Sequence, residues 1–537
     1  MLPQRASESS SASIPWTFLL WVFLFLAVVT TLVPVIDWAR RPSGGEFTGF
    51  SYESVGDTFV YLNLIEQAKN GASRFLDIYT SNPQQPAIFH PLFLLMGKSA
   101  AWLHLSPLVT WHLWRVVLIF PLLLVLWMFL YQFFASIRTK KLLLLAVLFL
   151  GLLVSTYGEA SLFTSVLFSP KTVLTHTCTF LFFLAFLRLI ERPRALWMAT
   201  LFFLAFLQAF NEPYVLFLWG VVPIAYGFFE VLRDRRMWKS FLFPVILCEG
   251  SVLLSVAALG WVVLHNPILA AWSLNAYGHP WKWGTLLLSF GPLIVPACVG
   301  GFFFRHDFRS QQRLRFLLFW ALGAAAVSLC TAYPFAYRLP PYLQPPLALL
   351  AALGIGTLWR RKRAAIAWQA VALALCGLGI SDNTYHVAQN ITGAYDRTGF
   401  RYLSSNEVAG IAWLRRTSPT SVFLASPGWD TLLAGQANRR TFVTPGWQSP
   451  QTKEKVTVAL DVYAGKMSPP DLSAMMEKNQ VDYIVFSECE KLNGHWHSAW
   501  ENDVFDYDYH ENFHAEQYPF LRTVYSNATM TIYQYSP

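Results

Sequence analysis

Asp57 and Arg338 are the two residues whose type and placement best suit group-transfer chemistry. Asp57 opens an apolar-periodic stretch, Gly56-Asp57-Thr58-Phe59-Val60-Tyr61-Leu62-Asn63-Leu64-Ile65, that stops at Gly71. A carboxylate held at the head of such a helix can take a proton from a hydroxyl. Asp is equally a preferred N-cap residue, and the two roles can coexist. Arg338, in Tyr333-Pro334-Phe335-Ala336-Tyr337-Arg338-Leu339-Pro340, carries a planar fork that can grip a phosphate through two hydrogen bonds. Beside an apolar run it also suits a snorkelling anchor. Lys171, Lys282, His90, His265 and His279 fall in the same alternate set of linkers, and each also fits a solvated or hydrogen-bonded interfacial residue. Glu159 and Glu212 stand on separate linkers, a weak pattern for a metal. Glu249 lies inside an apolar run, where an acid is expensive and marks either a function or a hydrogen-bonded partner.

The elements that must position these groups are mostly membrane spans. The periodicity and length of the apolar runs predict about eleven, at residues 16–36, 109–135, 142–157, 172–189, 195–210, 213–229, 241–264, 284–304, 314–332, 339–358 and 364–380. Every second linker is basic: Arg138, Lys140 and Lys141; Arg188, Arg192 and Arg194; Arg233, Arg235, Arg236 and Lys239; Arg305, Arg309, Arg313 and Arg315; then Arg360 to Arg363. The positive-inside bias makes those linkers cytoplasmic, so the N-terminus is cytoplasmic and everything after residue 380 is external. Arg40 and Arg41 run against this, but they begin a loop, 37–108, long enough for the charge rule to weaken.

Composition agrees. Aliphatic and aromatic residues make up 55% of the 537 residues, too apolar for one soluble globule. The formal charge of +9 comes mainly from the inner linkers, which points to anionic lipid headgroups and away from nucleic acid. No small-residue cleavage site follows residues 16–36, so that run is expected to be a retained anchor. Cysteine spacing offers neither a disulfide framework in the tail nor a C-x-x-C metal motif.

Three regions follow: a disordered cytoplasmic tail, 1–15; a transmembrane region, 16–380, with its large first external loop; and an external soluble α/β domain, 381–537. In the tail a helix is expected from Ser404 or Ser405, strands at 422–425 and 483–486, helices at 453–463 and 471–478, and a hairpin of 521–525 against 530–535. In the loop, residues 57–71 are expected to form an amphipathic helix lying in the interface, and 88–96 another interfacial or partly inserted one.

A first span, a large outer loop with an acid at the head of a helix, and many further spans resemble the GT-C superfamily of membrane glycosyltransferases, and more closely a set of bacterial multi-pass proteins of that type. The residues carrying the resemblance are Asp57 to Leu62, Phe89-His90-Pro91-Leu92, Tyr333 to Pro340, and in the tail Leu424-Ala425-Ser426-Pro427 through Gly435 to Thr441, Ala464 to Ser468 and Val481 to Val485. Where the family commonly has a carboxylate pair or a lone Asp, this chain has Gly56-Asp57. The resemblance implies inverting transfer, on the external face of a bacterial inner membrane, of a hexosyl or pentosyl group from a polyprenyl-phosphate sugar to a saccharide, lipid or protein acceptor. Asp57 would be the catalytic base, with Arg338, His90, Tyr61, Lys171 and Lys282 binding substrate. No cofactor is required by this reading, and a divalent metal is left open. The competing classes are a transporter or flippase of lipid-linked saccharide and a non-catalytic membrane scaffold. Transport would be favoured by internal repeats, of which the sequence shows none.

Overall fold

The computed structural model describes residues 14–49, 55–134, 136–150, 162–266, 268–270, 282–303, 312–333, 335–359, 401–426, 429–444, 451–487, 495–500, 503–508 and 513–537, with a few isolated positions between. The expected disordered tail, the run 364–380, Glu159 and His279 fall outside these.

The first helix, α1 (Trp16–Arg40), leads into the outer loop, where α2 (Val55–Lys69) and α3 (Pro91–Leu103) pack on one another. The bundle continues through α4 (Pro107–Leu130), α5 (Ile137–Phe149), α6 (Leu162–Phe168), α7 (Pro170–Glu191), α8 (Ala195–Ala209), α9 (Val215–Arg233), α10 (Trp238–Leu264), α11 (Trp283–Phe303), α12 (Gln312–Ser328) and α13 (Gln344–Trp359). Start signals are local. Ser106 caps α4 by accepting from the Val109 N–H at 3.3 Å, and Ser169 caps α7 by accepting from Thr172 at 3.4 Å. In each case Pro follows as the first helical residue, where its missing N–H costs nothing.

Among the described residues, five helical stretches are long and apolar enough to cross a membrane: 16–40, 107–130, 170–191, 215–233 and 235–264. Apart from 364–380, the remaining expected spans overlap shorter or partly described helices. Outward faces of α1, α8 and α10 expose Trp21, Phe25, Val28, Phe203, Leu253 and Leu254. Apolar surface of this extent on closed helices is what lipid covers, and the protein is an integral membrane protein.

The two ends of the bundle differ. At one end Arg313 bridges to Glu191 and to the Gln132 carbonyl, Arg315 pairs with Glu230 through Nη2–Oε2 at 2.6 Å, and Arg188 stands 3.6 Å from Glu191. Those residues border the basic linkers. The start of α7, the end of α8 and the entry to α13 lie at the other end, where the outer loop also packs.

Residues 401–537 contain a five-stranded sheet in the order β4-β3-β5-β9-β8, from β3 (Val422–Leu424), β4 (Arg440–Thr441), β5 (Tyr483–Phe486), β8 (Leu521–Ser526) and β9 (Thr531–Tyr535). The first three are mutually parallel, and β9 and β8 run antiparallel. Helices α14 (Ser405–Leu414), α15 (Trp429–Ala437), α16 (Thr452–Tyr463) and α17 (Pro469–Asn479) connect them. Ser404 and Glu407 form a capping box on α14. Val422, Leu424, Val456, Leu460, Leu472, Met476 and Ile484 make the core of this region. A separate hairpin, β6 (His495–Trp500) with β7 (Asp503–Asp508), was not foreseen.

The α2 helix differs from its expected setting. Thr58, Phe59, Val60, Leu62, Asn63, Leu64, Ile65 and Ala68 are all buried, so residues pointing in every direction are covered and the helix does not lie half in lipid. On one side α3 comes close enough that a Cβ on Gly97 would sit 2.2 Å from Ala68 Cβ and 2.6 Å from the Ile65 carbonyl. On another, α15 approaches until a Cβ on Gly435 would meet Phe59 Cβ at 3.0 Å. Asn63 donates to Asn438 at 2.8 Å. The tail is joined to the outer loop elsewhere too: Glu46–Phe47 (β1) pairs with Tyr402–Leu403 (β2), buried Arg401 bridges to Asp37, and Lys455 and Arg440 hold residues 80–82.

Candidate functional site

Asp57 is the third residue of α2, within its first turn, so it does not occupy the cap position ahead of the helix. A carboxylate there is favoured by the helix dipole. One turn later Tyr61 stacks on Phe93 (5.0 Å) and on Trp111 (5.5 Å), which lie 6.3 Å from one another; this three-ring cluster fixes the Tyr61 ring and leaves the phenol at the start of α7. There Lys171 Nζ donates to Tyr61 Oη at 2.8 Å and stands 3.3 Å from Glu212 Oε1. Glu212 accepts from Tyr342 Oη at 3.0 Å. Arg338 sits in a short 3-10 turn ahead of α13 and donates through Nε to Tyr337 Oη at 2.9 Å; its guanidinium lies over the Tyr337 and Tyr214 rings at 5.3 and 5.8 Å.

These contacts gather residues from α2, α7, the α8–α9 linker and the entry to α13 at one end of the bundle. Asp57, Tyr61, Lys171 and Arg338 lie within electrostatic reach of one another. Burial and the neighbouring Asp57 charge both push the Tyr61 phenol upward, against the pull of Lys171, so it stays protonated. Burial opposes the Arg338 charge, but Tyr337, Tyr214 and Asp57 outweigh it and hold the guanidinium above its ordinary value.

His90 stacks on Phe93 at 4.0 Å, ahead of α3. Burial, reinforced by the Lys171 charge, lowers its pKa to about 3, so the imidazole is neutral at physiological pH and cannot serve there as a phosphate-binding cation. Lys282 stands exposed just before α11, and no described contact joins it to this cluster. Of the six residues expected to act as base or to bind substrate, five therefore converge, and Lys282 is the one set apart.

Sequence reasoning undervalued Glu212 and overlooked Tyr214, Tyr337 and Tyr342 as site walls. It also overlooked the polar layer below, where Gln208 and Asn211 donate to Thr175 Oγ1 at 3.0 and 2.9 Å. The available signal was the dense run Gln208-Ala209-Phe210-Asn211-Glu212-Pro213-Tyr214 between two apolar helices.

Among the described residues no three His, Cys, Asp or Glu side chains come together, and Glu212 is already engaged by Lys171 and Tyr342. The arrangement offers two fixed cations, Lys171 and Arg338, with two carboxylates, Asp57 and the Lys171-paired Glu212. Two guanidinium or ammonium groups can hold a phosphate, and the Asp57 carboxylate can accept a proton from a nearby hydroxyl.

No family model and no curated protein sequence matches the chain. Solved structures do. The oligosaccharyltransferase of Archaeoglobus fulgidus tethered with an acceptor peptide is 14% identical over 89% of this chain and 70% of that one, with a TM-score of 0.55. The same organism's AglB in complex with an inhibitory peptide and a dolichol-phosphate gives a TM-score of 0.53, at 14% identity over 88% of this chain and 70% of that one. The arabinofuranosyltransferase AftD from Mycobacteria gives 0.56 at 15% identity, covering 96% of this chain and 40% of that one, so this chain spans well under half of AftD's length. At these identities the likeness is one of fold, and it extends over most of this chain: the protein shares the fold of the Archaeoglobus fulgidus oligosaccharyltransferase and of AftD.

Proposed function

We propose that the protein transfers a sugar from a polyprenyl-phosphate donor to an acceptor hydroxyl at the external face of a bacterial inner membrane, with inversion. The observation that carries this reading is that Asp57, Lys171 and Arg338, three residues from separate elements, lie within electrostatic reach of one another at the bundle end opposite the basic linkers. That charge asymmetry supports an external site, a cytoplasmic N-terminus and an external tail. A structural neighbour held with dolichol-phosphate supports a polyprenyl-phosphate as the donor class.

In this mechanism Asp57 takes the proton of the acceptor hydroxyl as its oxygen attacks the anomeric carbon from the face opposite the phosphate. The anomeric C–O bond breaks and its electron pair leaves with the phosphate oxygen. Lys171 and Arg338 meet the charge that develops there, which is worth more in a site shielded from water. Tyr61 steers Lys171, and Tyr337 steers Arg338. Products are the glycosylated acceptor and polyprenyl phosphate, with the proton on Asp57.

Asp57→Asn tests the reading. The amide keeps the shape and loses the base, so transfer should fall by about two to four orders of magnitude while polyprenyl-phosphate binding and melting stay near wild type. Near-normal turnover in purified Asp57→Asn would remove Asp57 from catalysis. Lipid translocation that survives Asp57→Asn, with no transfer in the wild type, would assign the site to transport.

A further inference from the structure

Beside the cluster lies a cleft of about 1090 Å³ between the outer loop and the end of α10. Its size is just above the roughly 300–1,000 Å³ usual for small-ligand sites. Arg74, Gln85 and Phe89 line it from the loop, Phe210 from the end of α8, and Trp261 and His265 from α10.

Both long walls are held in place. On the loop side Gln84 exchanges two hydrogen bonds with the Asp77 backbone, accepting from its N–H at 3.0 Å, and Phe75 bridges to Ile88. On the α10 side the His265 ring stacks on Trp261 at 3.9 Å, and Asn266 Oδ1 caps the Ile268 and Leu269 N–H groups at 3.0 Å. Trp261 is 67% exposed, its ring presented to whatever enters. The inner wall is the edge-to-face pair Phe89 and Phe210, 5.5 Å apart. The next residues in the chain, His90 and then Asn211-Glu212, belong to the cluster, and His90 rests against the Asn211 backbone.

We propose that this cleft binds a saccharide, and, on the transfer reading above, that it seats the sugar acceptor. Ring faces with amide, imidazole and guanidinium edges suit a ligand that has C–H faces and many hydroxyls. A polyprenyl tail would set hydrocarbon against the Arg74 guanidinium and the Gln85 amide, which is unfavourable for each. Among the described residues the lining contains one arginine and no carboxylate, a charge pattern that suits neutral or acidic sugars.

The test is a glycan array of defined neutral and acidic oligosaccharides, probed with the detergent-purified full chain and with undecaprenyl phosphate affinity measured in parallel. Wild type and Asp57→Asn should capture the same saccharides. Trp261→Ala should weaken capture about tenfold, the worth of one aromatic contact; Trp261→Phe should recover most of it, and Arg74→Gln should lose the acidic members selectively. Capture of no saccharide by the wild type would overturn the proposal, as would equal capture by a normally melting Trp261→Ala. Loss of undecaprenyl phosphate binding in Trp261→Ala with saccharide capture intact would assign the cleft to lipid. Saccharide capture by an Asp57→Asn protein that still transfers sugar would sink the catalytic role of Asp57 and leave the cleft standing.

Discussion

Lys171 has two tasks in this arrangement, one structural and one toward substrate, and they can be separated by a double-mutant cycle. The ammonium is nearly buried and is shared between Glu212 at 3.3 Å and the Tyr61 phenol at 2.8 Å. Lys171→Met leaves the almost inaccessible Glu212 carboxylate with the Tyr342 hydroxyl at 3.0 Å and without the ammonium that balanced its charge. Removing one member of a buried pair costs about 3–5 kcal/mol, whereas removing both charges is often close to neutral. Thermal unfolding of the purified full chain should therefore show a large loss for Lys171→Met. Lys171→Met with Glu212→Gln should return to within about 1–2 kcal/mol of wild type, recovering about 2–3 kcal/mol of that loss. Affinity for polyprenyl phosphate should follow a different pattern, weak in both variants, because the neutral pair restores packing without restoring a cation. Wild-type lipid-phosphate affinity in the double variant would refute the phosphate role of Lys171, and a wild-type melting curve for Lys171→Met alone would refute the pair as a structural element.

Arg338→Ala should weaken binding of a polyprenyl-phosphate sugar strongly and Arg338→Lys should recover only part of it, since Lys lacks the planar fork; equal affinity of Arg338→Lys and wild type in matched lipid would reduce Arg338 to an anchor. Gly97→Ala should push α2 from α3, because the added methyl meets Ala68 and the Ile65 carbonyl well inside contact distance; overpacking of this kind costs about 1–3 kcal/mol, and transfer should fall with it, an outcome excluded if Gly97→Ala melts and turns over normally. In the tail, burial and then the Arg440 charge lower the Lys455 pKa to about 8, against a pull from Asp77. Between about pH 8 and the unfolded value near 10.4 the unfolded chain holds the extra proton, so this group's contribution to stability rises with pH. The stability difference between wild type and Lys455→Met should accordingly shift in favour of wild type from pH 7.5 to 9, and a constant difference would show that Lys455 does not titrate there.

Local signals carried a good part of the architecture. Val60, Leu64 and Ala68 with a stop at Gly71 foretold α2, and Gly71 has the left-handed φ of 105° that such a stop uses. In the tail, helices expected at 453–463 and 471–478 lie at Thr452–Tyr463 and Pro469–Asn479. The short α15 and the two-residue β4 escaped because a nine-residue helix leaves too little periodicity to read. Asp57 and Arg338 stood out because a charge at the edge of an apolar run is conspicuous. The Lys171–Glu212 pair did not, since the two residues meet only through the packing of α7 on α8. Nor does periodicity reveal that the apolar residues all round α2 are covered by protein: a helix half in lipid and one clasped between two glycines can have the same apolar spacing.

That clasp sets an order of events during synthesis. Asp57 and the helix that carries it emerge from the ribosome hundreds of residues before Gly435, whose helix covers Phe59. That covering helix follows β3, which pairs with β5, and β5 in turn takes β9 as its other neighbour. The surroundings of Asp57 are thus finished only after the spans have been threaded and the last sheet strand has arrived. A half-made chain already in the bilayer presents α2 bare on that side, with Asp57 not yet set in its final frame.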